Sequence, residues 1–209
     1  DQVLHGATDP WIWTHALPGT ELVTGVLDQV YVSWYLVLLL SILVVATWAP
    51  LRLRSRFFLA FVLCMAFAGS MAAIYFASGG PAFYADLAGD AERFAPLLQN
   101  LDGTRALGVQ NVLWDAFVTG SERLYGGISA MPSMHVTLTA LVALAAWRWH
   151  PGVGAVAMVY TGLILVGSVH LGWHYAIDGY AGIVIALLAW KIAGLAVGMP
   201  PGVAGRSPR

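Results

Sequence analysis

The stretch HLGWHYAIDGYAGIVIALLAWK, residues 170–191, places ionisable side chains at the start of a long apolar run. His170, His174 and Asp178 follow one another at intervals of four residues. Charged and titratable groups are costly in hydrocarbon, so their presence beside such a run indicates a role that depends on their chemistry. The stretch therefore predicts a membrane helix that begins at a polar site.

The rest of the chain has the composition of a membrane protein. Of its 209 residues 59% are hydrophobic and 10% are charged, whereas a soluble domain is about 25% charged. Segments with the length and apolarity of a membrane span cover residues 31–49, 57–78, 133–149, 153–170 and 173–197. We therefore expect an all-α polytopic membrane helical bundle with five clear spans, folded as one domain over residues 1–209.

A sixth span has two possible sources. Residues 104–118 show helical periodicity and predict a surface or re-entrant helix, or else a poor span. Alternatively, a first span precedes Asp1. Residues 11–28 mix aromatic and aliphatic side chains with charged ones, and we expect an interfacial helix and a turn there.

The distribution of charge predicts the orientation of the bundle, because basic residues favour cytoplasmic connections. Three arginines between residues 52 and 56 occupy the short connection after the first span. If that connection is cytoplasmic, seven of the ten basic residues lie on its side and all eleven acidic residues lie outside. We then expect residues 1–30 to be an interfacial N-terminal segment, 79–132 an outer connection and 198–209 a cytoplasmic tail.

His174 and Asp178 are expected on one helix face, since residues i and i+4 are neighbours. The carboxylate could accept a hydrogen bond from one ring nitrogen and leave the other as a nucleophile or base. The predicted orientation brings His135 to the same outer membrane depth. The sequence thus predicts that these three side chains meet at the outer interface.

The second informative stretch is SAMPSMHV, residues 129–136. Pro132 followed by Ser133 predicts the start of a helix with Ser133 as its N-cap. The free N–H groups of the first turn, at Met134 and its neighbours, form a natural phosphate seat. His135 lies in that turn and could protonate a leaving group as a general acid. Together with an oriented His174, the phosphate seat and His135 would form a phosphoryl-transfer site that works through a phosphohistidine intermediate.

Other interpretations of the same residues stay open. His170 is a candidate ligand for the phosphorylated head group, or only a polar group at a helix end. His170 and His174 could instead hold a metal ion with Asp178 and His135, as in a metal-dependent membrane hydrolase. Intramembrane His and Asp also mark proton relays, so a lipid or solute transporter without enzymatic activity is a further alternative.

The motifs PSMH (132–135) and HYAID (174–178) resemble the type 2 phosphatidic acid phosphatase superfamily of membrane lipid phosphatases and phosphotransferases. The PSGH signature of that family is matched with Met in place of Gly, and its His-x-x-x-Asp is matched by His174 and Asp178. The resemblance implies that His174 is the nucleophile, Asp178 its orienting partner and His135 the general acid.

Together with GGPAFY (79–84), the motifs are most similar to the branch that includes inositol phosphorylceramide synthase. In that branch a phospho head group passes to a lipid alcohol or to water. The basic residues of the family signatures are missing, because the only lysine is Lys191 and Ser168 stands at the arginine position. Arg105 and Arg123, on the predicted outer side, are then the candidates for binding the phosphate.

We therefore expect an integral membrane lipid phosphatase or phospho-head-group transferase whose active site faces the outer side. Its partners would be a phosphorylated lipid, the bilayer and, for transfer, an alcohol acceptor. The expected mechanism requires neither a cofactor nor a metal. The net charge of −1 gives no indication of nucleic-acid binding.

Overall fold

The computed structural model describes residues 1–121 and 129–198, and within them the regular elements are all helical. A π-helical turn over Phe67–Ala72 lies between the α-helices Leu51–Ala66 and Ala73–Tyr75, and a 3₁₀ turn covers Pro81–Phe83. The α-helices are α1 Pro10–His15, α2 Thr20–Trp48, α3 Leu51–Ala66, α4 Ala73–Tyr75, α5 Tyr84–Ala88, α6 Ala95–Asn100, α7 Arg105–Val118, α8 Met134–Trp149, α9 Pro151–His170 and α10 Ala176–Ala196.

The described helices confirm the prediction of an all-α membrane bundle. Four of them are long and apolar enough to cross a bilayer, namely Thr20–Trp48, Leu51–Tyr75, Pro151–His170 and Ala176–Ala196. The fifth predicted span is α8, which has only 16 residues, fewer than the roughly 20 that a full crossing needs. It packs against α2, α3, α9 and α10, so the other helices cover much of its surface.

The first long helix begins earlier than its apolar run suggests. α2 starts at Thr20, after Gly19 in the left-handed conformation (φ 72°), and so includes residues that we expected in an interfacial turn. Its Asp28 is buried, but the carboxylate accepts backbone hydrogen bonds from Arg105 (3.2 Å) and Ala106 (3.0 Å). Asp28 thereby pairs with free backbone N–H groups in the first turn of α7. This pairing explains why an acid is tolerated inside a long apolar helix.

Two further expectations change in the structure. The arginines at 52–56 lie on the first turns of α3, because only Ala49 and Pro50 connect it to α2. Residues 105–118 do form a helix, α7, capped by the Thr104 side chain. Its 14 residues span about 21 Å, too little for the hydrocarbon core, and it is not among the four long apolar helices. Of the predicted tail at 198–209, only residue 198 falls within the described part.

A close contact between α8 and α10 brings their N-termini together. Gly182 permits this contact, because a Cβ atom there would lie 2.7 Å from the Thr137 hydroxyl and 2.8 Å from the Ser133 carbonyl. The Ser133 N–H donates to the Asp178 carbonyl at 3.0 Å. The polar stretches at residues 129–136 and 170–178, which are far apart in the sequence, therefore meet at one end of the bundle.

Candidate active site

Ser133 starts α8 as predicted. Its side-chain oxygen accepts the Val136 N–H at 3.5 Å, and the residue is fully buried. The peptide bond between Met131 and Pro132 is cis. The first residues of α8, Met134 and His135, line a small cavity.

His174 lies in the turn between α9 and α10, held by the backbone on both sides. Its N–H donates to the Ser168 carbonyl at 3.1 Å, and its Nδ1 lies 2.8 Å from the Ala130 carbonyl oxygen. Since a carbonyl oxygen can only accept, this contact requires the hydrogen on Nδ1. The lone pair of the neutral ring is then on Nε2. Ala130 is itself anchored, because its N–H donates to the Ser78 carbonyl at 2.7 Å.

Asp178 is close to His174 but does not accept its ring hydrogen within hydrogen-bonding distance. The Oδ2 atom lies 3.6 Å from Nδ1 and accepts the Tyr175 N–H at 2.9 Å instead. The structure therefore differs from the predicted pairing on one helix face, because α10 begins only at Ala176 and His174 precedes it. Asp178 caps α10 and places a buried negative charge beside the imidazole, while the Ala130 carbonyl sets the ring orientation.

His135 is held by aromatic rings. Tyr31 stacks on it at 4.7 Å between ring centroids, and Trp34 packs edge-on at 4.3 Å. The His174 ring lies 5.9 Å away at an angle of 63°. Within the described ranges the His135 ring makes no hydrogen bond, so both of its nitrogens are available to a ligand.

The two histidines line one cavity of about 170 Å³. Binding pockets for whole small molecules usually measure about 300–1,000 Å³, so this cavity suits one compact group such as a phosphate. None of the described residues that line it is a lysine or arginine. They are Gly80, Phe83, Leu113, Ser129, Ala130, Met134, His135, Trp173 and His174.

Gly80, in the GGPAFY stretch, allows the 79–132 connection to approach the turn that carries His174. A Cβ atom at this position would lie 2.0 Å from the Trp173 carbonyl oxygen, closer than any side chain permits. Two residues later the Ala82 N–H donates to the Gly172 carbonyl at 3.0 Å. Gly80 lines the cavity, and residues 80–82 support the backbone just before His174.

Two of the predicted phosphate-binding residues, His170 and Arg105, lie away from the cavity in the described part of the chain. His170 is fully buried, with its Nε2 at 2.8 Å from the Thr24 hydroxyl and its ring stacked on His15 at 3.9 Å. The Arg105 guanidinium donates to the Gln29 side chain at 2.9 Å and is exposed. Arg123 lies outside the described residues.

Arg93, the other arginine of the 79–132 connection, forms its own ion pair. Arg93 forms an ion pair with Asp9 at 3.1 Å, and this hydrogen-bonded carboxylate raises the pKa of the guanidinium. The pair fastens the N-terminal segment to the connection that precedes α6. The Arg93 guanidinium is therefore already paired with a carboxylate and is a weaker candidate for binding phosphate.

Sequence reasoning missed the Ala130 carbonyl, the two aromatic rings on His135 and the role of Gly80. A backbone carbonyl carries no side-chain signal. Tyr31 and Trp34 are two among many aromatic residues in an apolar helix, so only their contact with His135 distinguishes them. In residues 1–121 and 129–198, no three His, Cys, Asp or Glu side chains are grouped closely enough to hold a metal ion.

Comparison with known proteins assigns the family. Residues 1–192 match the family model described as the PAP2 superfamily, which covers most of the chain. A search of curated proteins and a search of solved structures each found no match. The family and the long apolar helices together indicate a membrane protein with phosphatase- or phosphotransferase-type activity on a phosphorylated lipid. The chain, with PSMH and HYAID at one cavity, belongs to the PAP2 superfamily.

Proposed function

We propose that this protein cleaves or transfers the phosphate ester of a lipid through a phosphohistidine at His174, with the site on the outer membrane face. The observation that carries this proposal is the Nδ1 contact of His174 with the Ala130 carbonyl, at 2.8 Å. It leaves the Nε2 lone pair of a buried imidazole in the cavity that His135 also lines. An oriented histidine with a free basic nitrogen is the required nucleophile.

In the first half of the reaction, His174 Nε2 attacks phosphorus and the bond to the lipid oxygen breaks. His135 donates a proton to the departing oxygen, so that the lipid leaves as an alcohol. The buried charge of Asp178, 3.6 Å from Nδ1, stabilises the positive ring of the phosphohistidine. In the second half, His135 takes a proton from water or an alcohol, which attacks phosphorus and releases His174.

Anion binding is assigned to the N-terminus of α8 and to a base. Met134 and His135, in the first turn of the helix, line the cavity, and the positive end of the helix dipole there favours an anion. We keep Arg123 as the proposed base, since it precedes the cavity residue Ser129 by six positions in the sequence.

Replacing Arg123 with glutamine is expected to weaken lipid phosphate turnover about 100-fold, because a charge that contacts the transferred group stabilises its transition state. Steady-state kinetics with a phosphorylated lipid in detergent micelles would measure kcat/KM. Arg105→Gln is the matched comparison, since the Arg105 side chain contacts Gln29 outside the cavity. Equal losses in the two variants would assign the effect to general charge rather than to Arg123.

The distribution of charge supports the proposed outer location. The arginines at 52–56, Arg148 and Lys191 all lie at the end of the bundle opposite the two histidines, and basic residues favour the cytoplasmic side. A membrane-impermeant phosphorylated substrate supplied to oriented proteoliposomes would test this. Turnover only in vesicles whose α2–α3 connection faces the lumen supports the proposal, and turnover only in the opposite orientation overturns it.

Hydrolysis and transfer differ in the second attacking group. The PSMH and GGPAFY motifs favour transfer to a lipid alcohol, because of their similarity to the inositol phosphorylceramide synthase branch. The test is to incubate the purified protein with a phospholipid donor, with and without a lipid alcohol acceptor such as a diacylglycerol whose acyl chains differ from those of the donor. A new phospholipid formed only with acceptor supports transfer, whereas free phosphate or phospho head group at an unchanged rate supports hydrolysis.

The stacked Tyr31 ring is expected to hold His135 in place for proton transfer. Tyr31→Phe keeps the ring and should leave kcat within about threefold, since the buried hydroxyl has no hydrogen-bond partner in the described part of the chain. Tyr31→Leu removes the stacking and should lower kcat about 10- to 100-fold with little change in KM. Thermal unfolding of both variants controls for stability, and equal kcat values in the two would contradict the assignment.

A further inference from the structure

We propose that the end of the bundle opposite the two histidines carries a separate binding site for the phosphate of an anionic phospholipid, built around Arg56. Arg56 lies on the second turn of α3 with only 4% of its surface exposed. Arginines near a membrane boundary usually extend toward water. This arginine instead points into the bundle, toward α10.

The contacts of Arg56 hold the guanidinium in one position. Its Nε donates to the Trp190 carbonyl at 3.0 Å, and its Cζ lies 4.0 Å from the centre of the Trp190 ring. Gly194, one turn further along α10, leaves room for the planar group. A Cβ atom there would lie 2.6 Å from both Cζ and Nη2. The arrangement therefore depends on a glycine as well as on the arginine.

The terminal amino groups of Arg56 have no partner of their own. Within residues 1–121 and 129–198, the Nε contact is the only hydrogen bond of its side chain, and no carboxylate pairs with it. Two free N–H groups on one edge of a guanidinium match two oxygens of a phosphate. The fully buried polar atoms without a partner in the described residues do not include these terminal nitrogens, so they reach the surface, where a bound anion would supply the missing counter-ion.

The surroundings of Arg56 show that this anion comes from the bilayer. Arg148 is a second positive charge that acts on Arg56, and Arg52, Arg54 and Lys191 lie at the same end. The sequence has no aspartate or glutamate in residues 29–85, 123–177 or 179–209. Exposed apolar side chains surround the cluster, namely Trp48, Leu51, Ile192 and Leu195. A basic group between lipid-facing helices is a site for an anionic head group.

Native mass spectrometry of the full chain tests this site without using enzymatic activity. The protein would be released from nanodiscs that contain equal amounts of phosphatidylglycerol and phosphatidylcholine with identical acyl chains. We expect wild type to retain phosphatidylglycerol preferentially. Arg56→Gln should reduce the retained phosphatidylglycerol about tenfold, since a charge-assisted hydrogen bond is lost. Arg52→Gln, which removes an exposed charge at the same end, should change it less than about twofold.

Gly194→Ala provides a second variant that keeps every charge. The added methyl group would displace the guanidinium, so retention of phosphatidylglycerol should fall as in Arg56→Gln. Equal retention of the two lipids by wild type would overturn the proposal. So would equal losses in Arg52→Gln and Arg56→Gln, or unchanged retention in Gly194→Ala, because each would indicate general attraction of anionic lipid to a basic surface.

Two further measurements separate this site from other phosphate sites. Excess inorganic phosphate should not displace the lipid, and displacement would show that a free anion suffices. Retention should be the same in His174→Ala as in wild type. If His174→Ala abolished retention, the lipid would be bound at the proposed active site and the Arg56 site would be wrong. Failure of the Arg56 site leaves the phosphohistidine proposal unaffected.

Discussion

His174→Ala is expected to abolish turnover of phosphorylated lipid, with a loss of at least about ten-thousand-fold in kcat, because no other group can form the covalent intermediate. The measurement is release of phosphate or of the phospho head group by purified protein in detergent. A ³²P-labelled substrate that is quenched during turnover should leave an acid-labile, base-stable label on wild type and none on the variant.

The control for His174→Ala is His150→Ala, at the opposite end of α8, which lies outside the cavity and should retain wild-type activity. Full activity in His174→Ala would contradict the phosphohistidine mechanism. Inactivation of wild type by EDTA, reversed by added metal, would favour the metal-dependent alternative. Solute movement without phosphate release would favour the transporter.

His135→Gln is expected to lower kcat about 100- to 10,000-fold, the range typical of a lost general acid and base. The effect should depend on the leaving group. A natural lipid alcohol needs a proton as it departs, whereas a nitrophenolate does not. The first chemical step should therefore be impaired much less with a nitrophenyl phosphate ester than with the lipid phosphate.

Burst kinetics would separate the two steps, since the dephosphorylation step also requires His135 as a base. With the nitrophenyl ester, His135→Gln should release nitrophenolate in a rapid burst and then accumulate phosphohistidine. Equal losses with both substrates and no burst would show that His135 binds the phosphate rather than moving a proton. In that case Tyr31→Leu would be expected to alter KM rather than kcat.

Much of the fold could be predicted from hydropathy, because a membrane helix needs only length and apolarity. α9 and α10 begin and end close to their apolar runs. The predicted helix bounds were wrong where buried polar side chains form hydrogen bonds with residues that are distant in the sequence. The start of α2 was placed too late because Glu21 and Asp28 interrupt the apolar pattern, and only the contact of Asp28 with the α7 backbone makes that interruption acceptable.

The candidate site was partly predictable for a related reason. The N-cap Ser133 and the residues His135, His174 and Asp178 follow from local motifs, and both histidines line one cavity, His135 from α8 and His174 from the turn before α10. The motif with Asp178 sets His174 apart from His170, but the surroundings of His170 were not predictable. Both are histidines beside an apolar helix, but His170 faces Thr24 and His15 on the far side of α9's last turn.

The sequence alone therefore determined the helices, the two polar stretches and the segregation of acids from bases, since each depends on neighbouring residues or on simple counts. Only the tertiary structure decided which polar groups meet. The ring orientation of His174 depends on a carbonyl in another segment, the position of His135 on two rings of α2, and the burial of Arg56 on a glycine of α10. These contacts join residues far apart in the chain, and no local pattern specifies them.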